Sequence, residues 1–221
     1  RLLGRLDGDG EPVTLVHAFG GAGWAMAGEV ARQARAGLVL EIWRTGLAHR
    51  AASASASKRR PEPMALLAAD ECVTRALVEA GVSARIFASS WGVHAPQEPR
   101  KLFEPGRLPG IVICGSGRDP RGYASAMAAL GHAAEKGLEF AIFADATAAH
   151  RAGLWPLAQK LGLSERLSLI EDVEPRRDLL LRCDVLMQPE ALGEQRSLVL
   201  DAMGAGMVVL AAPEEHSATL I

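Results

Sequence analysis

Apolar residues come in short runs along this chain, and helically spaced stretches separate the runs. "VTLVHA" (13–18) is rich in β-branched residues and predicts a strand. "GAGWAMAGEVARQAR" follows and sets Trp24, Ala27, Val30 and Ala31 on one helical face. "LVLEIW" (38–43) and "MALLAA" (64–69) are the next strands. A helix over 71–80 is stopped by Gly81, and "RIFAS" (85–89) closes the first half.

The second half repeats the scheme. "GIVIC" (110–114) predicts a strand, and a helix over 122–136 ends at Gly137. "EFAIFA" is a strand, and "HRAGLWPLAQKLG" a helix that Pro156 kinks or starts. "RLSLI" (166–170) is a strand, and Pro175 suits the first turn of a helix over "EPRRDLLLRC". "DVLMQ", a helix from Ser197 and "MVVLAA" complete the order. Apolar strands without clean alternation, separated by helices, predict α/β architecture with parallel sheets covered on both faces.

Two stretches break the rhythm. "AASASASKRRPEP" (51–63) is low in complexity, then basic, then proline-rich, and reads as a mobile loop. "HAPQEPRKLFEPGRLP" (94–109) has four prolines and no period, so it reads as a linker. The chain then divides into a first lobe over 1–95, a linker over 96–109 and a second lobe over 110–221. Two such lobes face a cleft where the carboxyl ends of their strands carry ligands.

Composition narrows the classes. The 221 residues carry a net charge of −2, without the basic excess that nucleic acid requires. No run approaches about 20 unbroken apolar residues, and no signal peptide opens the chain, which starts at Arg1. Cys72, Cys114 and Cys183 lie far apart in apolar settings, as expected of reduced thiols in a cytoplasmic protein. They show no zinc spacing.

Two segments carry candidate chemistry. "CGSGRDPRG" (114–122) joins a strand to a helix; its glycines admit a phosphate and Arg118 and Arg121 can pair with it. Such turns also occur without ligands. In "MQPEALGEQRSLVLDAMGAGMVVLAAP" (187–213), Ser197 and Asp201 lie four apart and share a helical face. The helix start offers free N–H groups to a diphosphate, and a carboxylate one turn in can accept from ribose hydroxyls. The same residues also serve as a plain N-cap and an exposed acid. His17, at the end of its strand beside Gly20 and Gly21, is a candidate base or substrate contact, or a hydrogen-bonded, half-buried side chain.

"DVLMQPEALGEQRSLVLDAMGAGMVVLAA" resembles the signature of retaining GT-B glycosyltransferases of family 4, where a Glu-x7-Glu segment precedes "Ala-Met-Ala-x-Gly-x-Pro-Val-Val". "GLSERLSLIEDVEPRRDLLLRCDVLMQP" and "ALVEAGVSARIFASSWGVHAP" are similar to neighbouring family segments, in the same order. The resemblance implies a GT-B-like fold of two Rossmann-like lobes, with the first lobe incomplete and the end of the second missing. It implies transfer of a sugar, of hexosyl type, from a nucleotide-sugar donor to an unknown acceptor with retention. Gly115, Arg118, Arg121, Glu190, Ser197, Leu198 and Asp201 become donor-binding candidates, and His17 and Glu194 catalytic ones.

The chain departs from the pattern. Asp201 stands at the second Glu of the motif and Gly193 at the first, with Glu194 and Glu190 displaced from it. Trp43 stands where the family often has His. No metal or other cofactor is expected, and the resemblance leaves room for peripheral contact with a membrane. The rival readings are a non-catalytic GT-B relative that binds a nucleotide-sugar or a protein, a sugar-nucleotide epimerase and a structural lobe pair.

Overall fold

The structure is a computed structural model and describes residues 12–59, 61, 64–95, 101–171, 173, 177–192 and 197–213. Two compact units form, the first ending at Trp91 and the second beginning at Gly92.

The first unit is β1 (Leu15–Phe19), α1 (Trp24–Ala34), β2 (Gly37–Ile42), α2 (Ala48–Ala56), β3 (Met64–Ala68), α3 (Glu71–Glu79) and β4 (Arg85–Ala88). The strands pair in parallel in the order β1-β2-β3-β4. Three successive right-handed crossovers in one direction put α1, α2 and α3 on the same face. Leu38, Leu40, Ile42, Leu66 and Ala68 point to that face and share a core with Trp24, Ala31, Ala51, Val73 and Leu77. On the opposite face, among the described residues, Leu15 and Phe19 stay 56% and 71% exposed. Burial of both faces was the expectation, and in this unit the described helices cover one.

Residues 51–56, expected as part of a mobile loop, belong to α2 instead. Alanine is the strongest helix former, and Ala48, Ala51 and Ser55 lie three and four apart on the buried face. Ser55 also ties α2 to the chain after α3, through Ser83 N–H at 3.2 Å and the Ser83 hydroxyl on its carbonyl at 3.1 Å.

The second unit holds β5 (Gly110–Ile113), α4 (Pro120–Glu135), β6 (Ala141–Asp145), α5 (Ala146–Ala152), α6 (Leu154–Lys160), β7 (Leu167–Ile170), α7 (Arg177–Leu180), β8 (Val185–Gln188), α8 (Ser197–Gly204) and β9 (Val208–Ala211). The stretch over 150–162, expected as one helix, breaks at Gly153, which adopts φ 69°. Pro156 then sits in the first turn of α6, where its missing N–H costs nothing. The parallel sheet runs β7-β6-β5-β8-β9. From β5 the chain winds outward to β7, then returns beside β5 and winds the other way. The switch lies between β5 and β8.

From Lys101 onward, the stretch read as a linker is anchored to this unit. The Asp184 carboxylate, fully buried before β8, accepts from Phe103 N–H at 2.9 Å, from Gly110 N–H at 3.0 Å and from the Arg107 guanidinium. Burial raises its pKa, but these bonds and the Arg107 charge outweigh burial and hold the carboxyl below its ordinary value.

Candidate nucleotide site

Open α/β sheets bind ligands outside the carboxyl ends of strands where the winding reverses. In the second unit that place lies at the ends of β5 and β8. The turn 114–119 leaves β5 there and opens α4. Asp119 caps α4, accepting from Gly122 N–H at 3.1 Å, and Pro120 occupies the first helical turn. Two glycines are set by close approach. A side chain at Gly115 would come within 2.7 Å of the Glu190 carboxylate, and one at Gly122 would run into the Pro189 carbonyl.

Glu190 follows β8 across the switch and is 1% exposed. Its carboxylate accepts from the backbone N–H of Ser116 at 2.5 Å, of Arg118 at 2.6 Å and of Asp119 at 3.2 Å, and from the Ser116 hydroxyl at 3.2 Å. Converging amides of this kind form an anion nest. The turn expected to cradle a phosphate holds a carboxylate of the same chain.

Arg118 and Arg121 are exposed at the start of α4. Arg151, on α5, donates to the Ser116 carbonyl at 2.6 Å and so braces the turn. Sequence reasoning missed Arg151, because a bond spanning 35 residues leaves no local signal. A cavity of about 570 Å³ beside it is lined by Ala146, Thr147, His150, Arg151 and Glu171, at the ends of β6 and β7.

α8 starts at Ser197 beyond β8. Ser197 and Asp201 are half-buried, whereas Leu198 is fully buried, so only its backbone can meet a ligand. Glu194, with Gly193, lies outside the described residues.

His17 belongs to the first unit, in the middle of β1 rather than at its end. Its side chain points to the face away from the helices. Nε2 lies 3.2 Å from the Glu41 carboxylate, which also accepts from Trp91 Nε1 at 2.8 Å. The ring lies against Phe19, with centroids 4.2 Å apart and planes tilted by 32°. Glu41 was not among the expected residues; its alternation with Leu40 and Ile42 in β2 was the available signal.

No protein-family model and no curated protein matches the chain. Solved structures do. Anabaena HepE, in complex with UDP, superposes with TM-score 0.67 at 15% identity, over 94% of this chain and 62% of its own. A glycosyltransferase from Rickettsia africae gives TM-score 0.60 at 16% identity, over 90% and 57%. The pneumococcal O-GlcNAc transferase GtfA, in complex with UDP and GlcNAc, gives 0.57 at 11% identity, over 83% and 39%. The fold is GT-B. The chain spans 62% of the length of HepE and less of the other two, so both GT-B lobes are incomplete relative to those chains. No described helix is long and apolar enough to cross a membrane.

Proposed function

We propose that this protein binds a nucleotide-sugar on its second unit and transfers the sugar to an acceptor with retention. The observation that carries the reading is the switch point between β5 and β8, to which the turn 114–119, the start of α4 and Glu190 all belong. HepE and GtfA, which share the fold, are seen with UDP.

In this reading the donor diphosphate lies at the start of α8, where the helix dipole favours negative charge. Arg118 and Arg121 supply the opposing charge, and Asp201 takes the ribose hydroxyls. The bond between the anomeric carbon and the phosphate oxygen breaks, and electrons pass to the phosphate. The acceptor oxygen bonds to the same face of the sugar, and its proton passes to the leaving phosphate. Arginines and helix N–H groups stabilise the charge that develops there.

Titration with UDP, GDP and ADP, followed by incubation with the matching nucleotide-sugars, tests this reading. Binding of one diphosphate in the micromolar range with sugar release supports it, and binding of none removes it. Glu190 in the nest favours a second reading, a GT-B relative that binds a nucleotide-sugar without turning it over. Binding without sugar release selects that alternative.

A further inference from the structure

The first unit carries a groove of about 710 Å³ between α1 and α2, on the helical face of its sheet. Its size falls within the range of roughly 300–1,000 Å³ typical of small-molecule sites. The sequence makes the space: Ala25 and Gly28 face it from α1, Ser53 and Ala54 from α2. These small side chains leave the two helices unmeshed, so α2 packs on α3 instead. Leu38, Leu40 and Met64 form an apolar floor.

The walls are cationic. Arg32 is engaged by Glu29 at 2.5 Å. Arg50 and Arg59 also line the groove, and among the described residues neither meets a carboxylate. Arg50 lies over the Trp24 ring, 5.4 Å from its centre. Trp24, 5% exposed, borders the same end, and its Nε1–H is buried with no acceptor among the described residues. A buried N–H without an acceptor is unfavourable, and a cation beside it strengthens any acceptor that arrives. Apolar floor, unmatched guanidinium and unsatisfied N–H together describe one ligand chemistry.

We propose that the groove binds an amphipathic anion: a single apolar chain lying on Leu38, Leu40 and Met64, with a terminal phosphate that reaches Arg50 and the Trp24 N–H. Every residue that lines the groove belongs to the first unit, so the proposal does not rest on nucleotide binding by the second.

The test is titration of the full chain with octyl phosphate below its micelle concentration, followed by the indole N–H resonances in a nitrogen-correlated NMR spectrum. Trp24→Phe identifies which of the four tryptophan signals belongs to Trp24. Octyl phosphate is expected to shift that signal, whereas octanol and inorganic phosphate at the same concentration leave it in place. Arg50→Gln should weaken binding about tenfold or more. Ala54→Trp, which fills the groove from α2, should abolish it while the melting temperature changes little. Vesicles containing phosphatidic acid, in a sedimentation arm, show whether the same headgroup is taken from a bilayer. Equal shifts with octanol overturn the anion, and equal shifts with inorganic phosphate overturn the apolar chain. The absence of any shift, or full binding to Ala54→Trp, overturns the site.

Discussion

The carboxylate of Glu190 sits 2.5 Å from the Ser116 N–H, across 74 residues of sequence and across the point where the second sheet changes its winding. Two further amides and a hydroxyl also donate to it. A phosphate entering the turn would seek the same donors. Glu190 thus braces the turn, and a ligand arriving from the α8 end would meet donors that are already engaged.

That relationship fixes the sign of a mutation. Glu190→Gln places an amide N–H₂ against backbone N–H groups, frees part of the nest and removes a negative charge near the diphosphate. UDP should then bind more tightly, by about tenfold (~1.4 kcal/mol), while the lost charge-assisted bonds lower stability by about 2 kcal/mol. Calorimetric titration beside thermal melting checks both. Weaker UDP binding by the variant would return Glu190 to the role of a direct donor contact.

Arg121 separates binding from folding. It is exposed in the first turn of α4, and only its backbone N–H, at 3.2 Å from Asp119, takes part in the cap. Arg121→Ala should leave the melting temperature unchanged and weaken nucleoside diphosphate binding by about 1.5–3 kcal/mol, roughly ten- to a hundredfold. An unchanged dissociation constant removes Arg121 from the site.

Asp184 does the reverse. It anchors Phe103, Arg107 and Gly110 at the amino end of β5, the edge opposite the candidate site. Asp184→Asn should cost about 3 kcal/mol, the loss typical of breaking a buried, hydrogen-bonded pair, and leave nucleotide affinity as it was. The carboxyl is lowered in the folded state, so its contribution is complete above the unfolded value and is lost as pH falls through the folded one. The gap between parent and variant in denaturant unfolding should be full at pH 7 and narrow once pH drops below about 4. A constant gap across that range would mean that ionisation of Asp184 plays no part.

Most of the fold was legible because apolar runs such as Gly110–Ile113 and Met64–Ala68 form strands wherever helices can cover them. The Ala/Ser stretch of α2 was not, since its packing depends on small side chains that carry no hydrophobic signal. The break at Gly153 was missed because the apolar spacing of the following turn stays helical. At the site, Gly115 and the capped start of α4 could be read from a strand–glycine–helix pattern. The partner of the turn could not. Hydrogen bonds from a backbone to a distant carboxylate have no counterpart in local sequence, and the same holds for Arg151 on the Ser116 carbonyl.

Asp201 is the sharpest remaining test of the donor site. α8 is pinned by Leu198, Val199, Leu200 and Ala202, all buried, so its register against the sheet is fixed by packing. Ser197 and Asp201, one turn apart, form the polar strip of an otherwise apolar helix, and both are half-buried. A capping role needs an acid only at the helix start, and Asp201 lies beyond the first turn. In the proposed reading a carboxylate there accepts from ribose hydroxyls while the diphosphate meets the helix start. Asp201→Asn keeps the size and one acceptor oxygen but loses the charge. It should weaken UDP binding roughly tenfold, as expected for one charge-assisted hydrogen bond, with the melting temperature preserved by the surrounding leucines and valine. Asp201→Glu extends the reach by one methylene and should bind at least as tightly as the parent, because a longer side chain replaces a long or water-bridged contact with a direct one. If Asn alters melting without altering affinity, Asp201 serves the helix rather than the ligand. If Glu binds more weakly than the parent, the ribose lies closer to α8 than this reading places it.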